Sequence, residues 1–330
     1  MPTPTFRVPT AVPTRLVAIA TIGFAFMFAS LAEAKSKTVP ADLRVVSSAG
    51  KSLADGTQYS GPVEIKTDKK ADCFGEGTGG TGAKAEVPGS TALGQLAQGG
   101  DAFPGIDPLS VTDFFDFGLG LCGVGKAVAP STGFWYLKVN HAASFTGGDQ
   151  TEVKRGDEIL WYLISDFNDP TPDELALKTV GSPSGDQVDV KVVSYADDGA
   201  KSNAEGVTVS GADEATDASG VTTIALDGGV TDVRATRSGS IPSNILSLCA
   251  QGGKCPAGYA RTVGGTSASD EITGTGEAEE IVAGAGKDEI DATRGKAADK
   301  INCGPGKDEL ILSKGSKSKV RSSCEKVKYR

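Results

Sequence analysis

The sequence predicts a mainly β protein made of several small domains. Two apolar runs rich in aromatic and β-branched residues, Phe134–Val139 and Glu158–Ile164, flank a turn-rich middle, which is typical of paired strands. Glycine is abundant, at 44 of 330 residues, which favours turn-rich β modules over one large enzyme core. From residue 264 onward the sequence becomes periodic. We therefore expect three β modules in succession.

The start of the chain has the pattern of a secretory signal peptide. Two arginines precede an apolar run over residues 16–32, and an Ala-Glu-Ala motif ends at Ala34. We expect residues 1–34 to be removed and Lys35 to begin the mature chain; the alternative is an uncleaved membrane anchor. No cysteine closely follows the apolar run and no hydrophobic tail closes the sequence, so we expect secretion rather than anchoring.

The six cysteines are expected to form disulfides, because an exported chain enters an oxidising compartment. Fifteen pairings are possible, and proximity along the chain favours one pair per module. The expected pairs are Cys73–Cys122, Cys249–Cys255 and Cys303–Cys324. Zinc ligation is the rival interpretation, but the sequence has no CxxC motif and one histidine, His141.

The first module is predicted over residues 35–172. Alternating patterns suggest two strands joined near Gly56, a glycine-rich loop follows, and Ser90 or Thr91 can cap a short helix that ends before Gly99. The aromatic strands come last. The predicted strands, loop and helix cover residues 41–47, 63–67, 72–89 and 90–98, with a one-sided apolar run at 111–117.

The aromatic segment of this module carries a family resemblance. The stretches FWYLKVNHAAS and GDQTEVKRGDEILWYL, above all VKRGDEILW, resemble the transcobalamin-like C-terminal β domain over residues 41–168. The resemblance implies a β-grasp fold, and its family occurs in secreted bacterial proteins as well as in cobalamin carriers. Gly156 and Asp157 fit a tight turn, where a positive φ and a local hydrogen bond are needed.

The second module is predicted over residues 173–250. This module contains no Trp or Phe. Short runs of β-branched residues recur at the spacing typical of a β-sandwich and predict strands near 188–195, 207–210, 221–226, 230–237 and 245–248. The stretch AEGVTVSGADEATDASGVTTIAL is similar to bacterial Ig-like or carboxypeptidase-regulatory spacer domains. The resemblance implies a β-sandwich that displays other domains. A linker is expected over residues 251–263.

The third module, residues 264–330, contains a repeat. Acidic residues recur at steps of nine, nine, eleven and nine, and an aliphatic residue stands two positions after each. The acidic residues are Asp270, Glu279, Asp288, Asp299 and Asp308. The best copies, AGAGKDEID and CGPGKDELI, resemble the RTX calcium-binding nonapeptide, so residues 264–311 imply a parallel β-roll.

The repeat chemistry suggests oxygen ligands for Ca²⁺. Glycine turns can aim carbonyl oxygens inward and aspartates add carboxylates, so we expect Asp270 with Asp288, and Asp288 with Asp308, to share ions. The candidate ligands are Asp270, Gly284, Gly286, Asp288, Asp299, Gly304, Gly306 and Asp308. Non-glycine residues in several turns and a two-residue insertion leave two alternatives, weak calcium binding at ~10⁻⁴–10⁻³ M or a metal-free roll.

Residues for catalysis are not apparent in the sequence. His141 is expected to be an exposed turn residue, and the paired carboxylates fall in predicted loops without an apolar pocket. A deep cleft with acidic groups beside His141 would contradict this view. The net charge of −9 argues against nucleic-acid binding. The basic residues 314–330 suggest a solvated cap of the roll or, alternatively, a polyanion or cell-envelope contact.

The sequence therefore predicts a secreted, monomeric, non-enzymatic binding or display protein with a calcium-responsive C-terminal roll. Its partner would be a cell-envelope or extracellular ligand, with no membrane contact after signal cleavage. The alternative is a small-ligand binder that uses the β-grasp module. A pocket lined by Trp135, Tyr136 and Trp161 would support this alternative, and a solid core there would count against it.

Overall fold

The computed structural model describes residues 38–330 except 251–252, 254 and 296. The predicted signal peptide therefore lies outside the described residues. The described part is mainly β, with several sheets and one short helix, which confirms the predicted fold class. No helix in this part is long and apolar enough to cross a membrane.

The first β region carries a mixed sheet with one helix packed on it. Its elements are β1 (Val39–Val46), β2 (Ser52–Ser60), β3 (Val63–Lys66), β4 (Lys84–Val87), α1 (Ala92–Gln98), β5 (Leu109–Phe115), β6 (Gly118–Val124), β7 (Ala127–Val128), β8 (Phe134–Val139), β9 (Ala142–Ala143) and β10 (Glu158–Ile164). The order β2-β1-β10-β8-β9 places the parallel pair β1–β10 in the centre. Trp135 and Trp161 are buried in the core that α1 covers. The helix begins at Thr91, whose hydroxyl accepts the Gly94 N–H, as predicted.

Two local predictions in this region are wrong. Gly56 is not in a turn but inside β2, because the chain turns earlier, after β1. A side chain at Gly56 would collide with the carbonyl oxygen of Thr262, so the glycine is required by a neighbouring strand that is remote in sequence. The predicted loop 72–89 also contains β4, which pairs with β3 in spite of its charged residues.

The second β region has its own core, built around Leu175, Val190 and Ile224. Its strands are β11 (Asp173–Ser184), β12 (Gln187–Tyr195), β13 (Lys201–Asn203), β14 (Thr208–Val209), β15 (Val221–Ala225), β16 (Val230–Val233), β17 (Ala235–Thr236), β18 (Ser240–Ile241) and β19 (Leu246–Cys249). The long strand β11 pairs with β12 and was not predicted, because Gly181 and Pro183 interrupt its alternating pattern.

The third β region, called the roll, is a coil of two parallel sheets. Its strands are β20 (Arg261–Thr266), β21 (Glu271–Thr273), β22 (Glu279–Gly284), β23 (Glu289–Ala292), β24 (Lys300–Asn302), β25 (Glu309–Leu312), β26 (Lys319–Val320) and β27 (Lys326–Tyr329). The sheets are β20-β22-β24-β26 and β21-β23-β25-β27. The repeated aliphatic residues stack inside, fully buried. They are Ile272, Ile281, Ile290, Ile301 and Leu310. The predicted stacking of repeats is thus present.

The roll continues the sheet of the first region, which the sequence analysis did not anticipate. Strand β20 pairs in parallel with β2, so that one nine-stranded sheet runs through both. The buried amide of Gln58 donates to the carbonyl oxygen of Gly265 at 2.8 Å. Tyr59 belongs to the core of the roll, and its hydroxyl accepts the Thr273 N–H. Strand β2 therefore covers the open end of the first coil.

All three predicted cysteine pairs are confirmed. The pairs lie at Cα–Cα distances of 5.5, 6.0 and 5.2 Å, in the usual range for disulfides. They are Cys73–Cys122, Cys249–Cys255 and Cys303–Cys324.

Candidate metal centre

The turns that join the strands of the roll form two columns, one at each edge of the coil. The first column contains the turns that end at Asp270, Asp288 and Asp308, followed by a last turn that ends at Glu325. The second column contains the turns that end at Glu279 and Asp299, followed by the turn at residues 313–318. The sequence prediction that repeats alternate between two sides is therefore met in the structure.

The carboxylates of the first column are linked by one repeating hydrogen bond. Oδ1 of Asp288 accepts the backbone N–H of Asp270, and Oδ1 of Asp308 accepts that of Asp288, each at 2.9 Å. Oε2 of Glu325 accepts the backbone N–H of Asp308 at 2.9 Å and completes the series. The expected pairs Asp270 with Asp288 and Asp288 with Asp308 are thus direct neighbours. Glu325 was not predicted as a member.

Each of the three aspartates keeps one oxygen atom without a protein partner. These atoms are Oδ1 of Asp270, Oδ2 of Asp288 and Oδ2 of Asp308, in side chains that are at most 2% exposed. Buried polar atoms are nearly always hydrogen-bonded, so three unpartnered ones in consecutive turns require an explanation. Carboxylate oxygens with free lone pairs are the ligands that Ca²⁺ prefers.

The glycines predicted as ligands lie in the same column. Gly284 and Gly286 precede Asp288, while Gly304 and Gly306 precede Asp308, and Gly286 forms an isolated parallel bridge with Gly306. A side chain at Gly304 would collide with the carbonyl oxygen of Gly284. The glycines therefore allow consecutive turns to stack closely.

Burial and mutual repulsion change the acidity of these carboxylates. Burial raises the pKa of Asp288 to about 7, and the charges of Asp270 and Asp308 contribute to the rise. Burial also raises the pKa values of Asp270 and Asp308. Ionisation of these three carboxylates is costly without a counter-charge. Protonation of the carboxylates or binding of a cation between them would remove this cost.

The second column differs from the first in its hydrogen bonds. Asp299 lies in this second column, whereas the other predicted ligands lie in the first. Oδ1 of Asp299 accepts the Glu279 N–H at 3.1 Å, and the next position is a serine, Ser318, whose hydroxyl accepts the Asp299 N–H. The Glu279 carboxylate accepts the N–H of Thr275 at 2.9 and 3.0 Å. Burial raises the pKa of Asp299 to about 6. Among the described residues, this column has no unpartnered buried carboxylate oxygen.

The donor set of the first column fits a weak site. No three histidine, cysteine or acidic side chains converge on a single point within the described part of the chain. A cation between consecutive turns would therefore be held by two carboxylates, with the remaining positions filled by backbone carbonyls and water. Ca²⁺ takes six to eight oxygen ligands in flexible geometry and accepts such a set.

A cleft beside His141 corrects one expectation from the sequence. His141 lies in the predicted turn, but its side chain is only 17% exposed. Its ring stacks on Tyr195 with 3.7 Å between the ring centroids. Nδ1 lies 3.0 Å from Oε1 of Glu174 and Nε2 lies 3.3 Å from Oε2 of Glu158. The cavity here has a volume of about 630 Å³ and is lined by all three β regions. Acidic groups do converge beside the histidine, against the prediction.

Several of the charged groups around this cleft are paired with one another. Arg44 forms a buried ion pair with Glu174 and also donates to the carbonyl oxygen of Leu175 at 3.0 Å. Asp42 pairs with Arg261 at 2.9 Å. Carboxylates of Glu174 and Glu158 thus contact both ring nitrogens of His141. These ion pairs join residues of different β regions, and the cavity lies beside them.

The pocket that would support the alternative function is absent from its expected position. Trp135 and Trp161 are 6% and 3% exposed and lie within a packed core. The hydroxyl of Tyr136 donates to Asp197 of the second β region. The aromatic cluster is therefore a structural core, and the cavity beside His141 is lined by other residues.

Comparisons with protein-family models, with curated proteins and with solved structures find no match to this chain. The resemblances of the three modules to known families stay predictions, and the function has to be argued from the geometry above.

Proposed function

We propose that this chain is a secreted, non-enzymatic binding protein whose C-terminal roll takes up calcium weakly. The observation that carries the calcium proposal is the set of unpartnered, buried oxygens of Asp270, Asp288 and Asp308 in consecutive turns. Each cation would lie between two neighbouring carboxylates, so the column offers two positions. All donors there are oxygens, which suits a hard cation.

Secretion is supported by the cysteines. Three disulfides in one chain are typical of proteins that fold in an oxidising compartment, and the sequence of residues 1–34 has the features of an export signal. Millimolar calcium outside the cell would load a site with a dissociation constant of ~10⁻⁴–10⁻³ M. Weak affinity is therefore no obstacle to occupancy there.

The contacts of His141 support the non-enzymatic part of the proposal. The one histidine is held between two carboxylates, and the buried acidic residue beside it is neutralised by Arg44. A general base has to reach the proton that it abstracts, whereas both ring nitrogens of His141 already contact carboxylates.

Calcium titration of the intact protein tests the proposal. We expect isothermal titration calorimetry to show binding and the melting temperature to rise with Ca²⁺ concentration, because binding to the folded state alone stabilises it. Asp288→Asn keeps an oxygen for the Asp270 N–H but removes the charge shared by both positions, and should abolish both effects. Glu277→Gln removes an exposed charge from the other column and serves as the matched control. Equal responses of the two variants would contradict the proposal.

A second candidate, small-ligand binding, is favoured by the cavity beside His141. Its volume of about 630 Å³ is within the range of ligand sites, and it is lined by polar and aromatic groups such as Tyr195 and Tyr259. Native mass spectrometry of protein purified under mild conditions should then show a bound small molecule. Ser247 lines the cavity, so Ser247→Trp should fill part of it and abolish binding of the small molecule. If the wild type and the variant both have the mass of the unliganded protein, this candidate is contradicted.

A further inference from the structure

The last coil of the roll concentrates positive charge on a protein that is otherwise acidic. Seven basic residues and one acidic residue occupy positions 314–330, although the whole chain has a net charge of −9. All seven basic side chains are exposed. They are Lys314, Lys317, Lys319, Arg321, Lys326, Lys328 and Arg330. This set of seven residues is called the basic end face.

The basic end face surrounds the end of the coil instead of following one strand. Lys314 and Lys317 lie in the turn before β26, Lys319 lies on β26, and Lys326 lies on β27. Alternate residues of a strand point to the same side and are about 6.6 Å apart. Lys326 and Lys328 therefore project together, while Val327 between them packs against the core of the roll.

Most of these charges have no acidic partner among the described residues. Lys326 and Lys328 form ion pairs with Glu309. Within the described part of the chain, no ion pair involves the other five basic residues of the end face. Among the described residues, five of the seven positive charges are therefore not neutralised by an ion pair.

Covalent and hydrogen bonds hold the basic end face in place. The disulfide Cys303–Cys324 joins the last coil to the preceding one. The N–H of Lys314 donates to the carbonyl oxygen of Arg330 at 2.9 Å, and the N–H of Arg330 donates to that of Leu312 at 2.9 Å. The chain end is thus tied to the coil on both sides. A preorganised face loses less conformational entropy on binding than a mobile tail does.

We propose that the basic end face binds a linear polyanion that carries repeated phosphate or sulfate groups. Several unneutralised cations on a fixed surface release counterions when they contact such a polymer, and this drives association. The proposal goes beyond calcium binding and does not depend on it, because the disulfide and the backbone hydrogen bonds define the face without a metal.

Two other roles are less consistent with the geometry. Lysines on end strands can prevent edge-to-edge pairing of sheets, but Lys314 and Lys317 lie in a turn that has no strand edge to protect. A membrane-binding face would need a substantial apolar surface, whereas only Val320 and Tyr329 are large exposed apolar side chains in this coil.

Binding of defined polyanions by the full-length mature protein, with its disulfides intact, tests the proposal. The probes are long-chain inorganic polyphosphate in EDTA and heparin in millimolar Ca²⁺, which distinguish phosphate from sulfate polymers. The test variant is Lys317→Gln/Lys319→Gln/Arg321→Gln. The control variant is Lys51→Gln/Lys70→Gln/Lys154→Gln, which removes the same charge from exposed positions in the first β region.

We expect the wild type to bind at least one of the two polymers, with affinity that falls steeply as salt increases. The test variant should bind at least about tenfold more weakly and show a shallower salt dependence, while the control variant should match the wild type. Equal losses in both variants, or binding only to anionic lipid vesicles, would overturn the proposal. If the test variant keeps its affinity for the polymer but self-associates, the proposal is also overturned. The lysines would then serve to prevent edge-to-edge pairing of sheets. Calcium titrations of the same variants should be unaffected, so failure here is distinguishable from failure of the calcium proposal.

Discussion

The backbone N–H of Asp288 donates to the carboxylate of Asp308, twenty residues further along the chain, at 2.9 Å. The same bond joins Asp270 to Asp288, and each carboxylate uses only one of its oxygens in this way. Parallel strands lie about 4.8 Å apart, so the remaining oxygens form a row at that spacing. This row is the feature from which the calcium proposal follows.

The metal-free roll should become less stable as the pH rises. Asp288 has a folded-state pKa of about 7 and Asp299 one of about 6, against 3.8 for an ordinary aspartate. A carboxyl group whose pKa is raised on folding stabilises the fold below pH ~4, and this contribution is lost as the pH passes through the raised value. In EDTA we predict a melting temperature that falls between pH 4 and 7.5. Saturating Ca²⁺ should flatten this decline, and parallel curves with and without calcium would be inconsistent with metal binding at the column.

Gly304 and Gly315 provide a matched pair for testing how closely the turns stack. Both have positive φ, at 84° and 76°, so alanine is strained at both positions. A side chain at Gly304 also meets the carbonyl oxygen of Gly284, while nothing lies within 4 Å at Gly315. Gly315→Ala should cost about 1 kcal/mol. Gly304→Ala should cost clearly more in chemical denaturation and should also weaken calcium binding; equal costs would show that the turns do not need this contact.

The shared sheet predicts that the first β region and the roll unfold together. Strand β2 pairs with β20, and Gly56 allows the approach of Thr262. Gly56→Ala should disturb this junction and split a single calorimetric transition into two, because the two cores would then lose their coupling. Gly228→Ala, at an exposed turn with open space around it, is the control. Two transitions already present in the wild type would contradict the coupling.

The buried ion pair of Arg44 and Glu174 should be important for the contact between the first two β regions. The side chains are 10% and 2% exposed, and removal of one partner leaves the other charge buried and unpaired. Arg44→Met should therefore destabilise the protein by about 3–5 kcal/mol. The double variant Arg44→Met/Glu174→Gln should recover a substantial part of that loss. If the double variant is as unstable as the sum of the single variants, the pair is not the energetic link.

The roll could be predicted well because the pattern that specifies it lies within short stretches of sequence. A nine-residue period places each buried aliphatic residue and each turn carboxylate, and the stack follows from repetition. Glu325 was not predicted, because the last turn lacks the Gly-x-Gly spacing and has glutamate in place of aspartate. Its role is visible only through its bond to the Asp308 N–H.

The cleft beside His141 could not be predicted for the opposite reason. Arg44 and Glu174 are 130 residues apart, and His141 and Glu174 are 33 apart, with no periodic pattern that relates them. Their meeting depends on how the sheets of two regions pack. The same holds for Gly56, whose requirement for glycine comes from a strand about 200 residues away.

A crystal structure of the mature protein grown in about 10 mM CaCl₂ tests the central claim most directly. The account predicts cations between Asp270 and Asp288 and between Asp288 and Asp308, with oxygen ligands at about 2.3–2.6 Å. Water-filled or empty density at both positions, with the turns stacked as they are here, would contradict it.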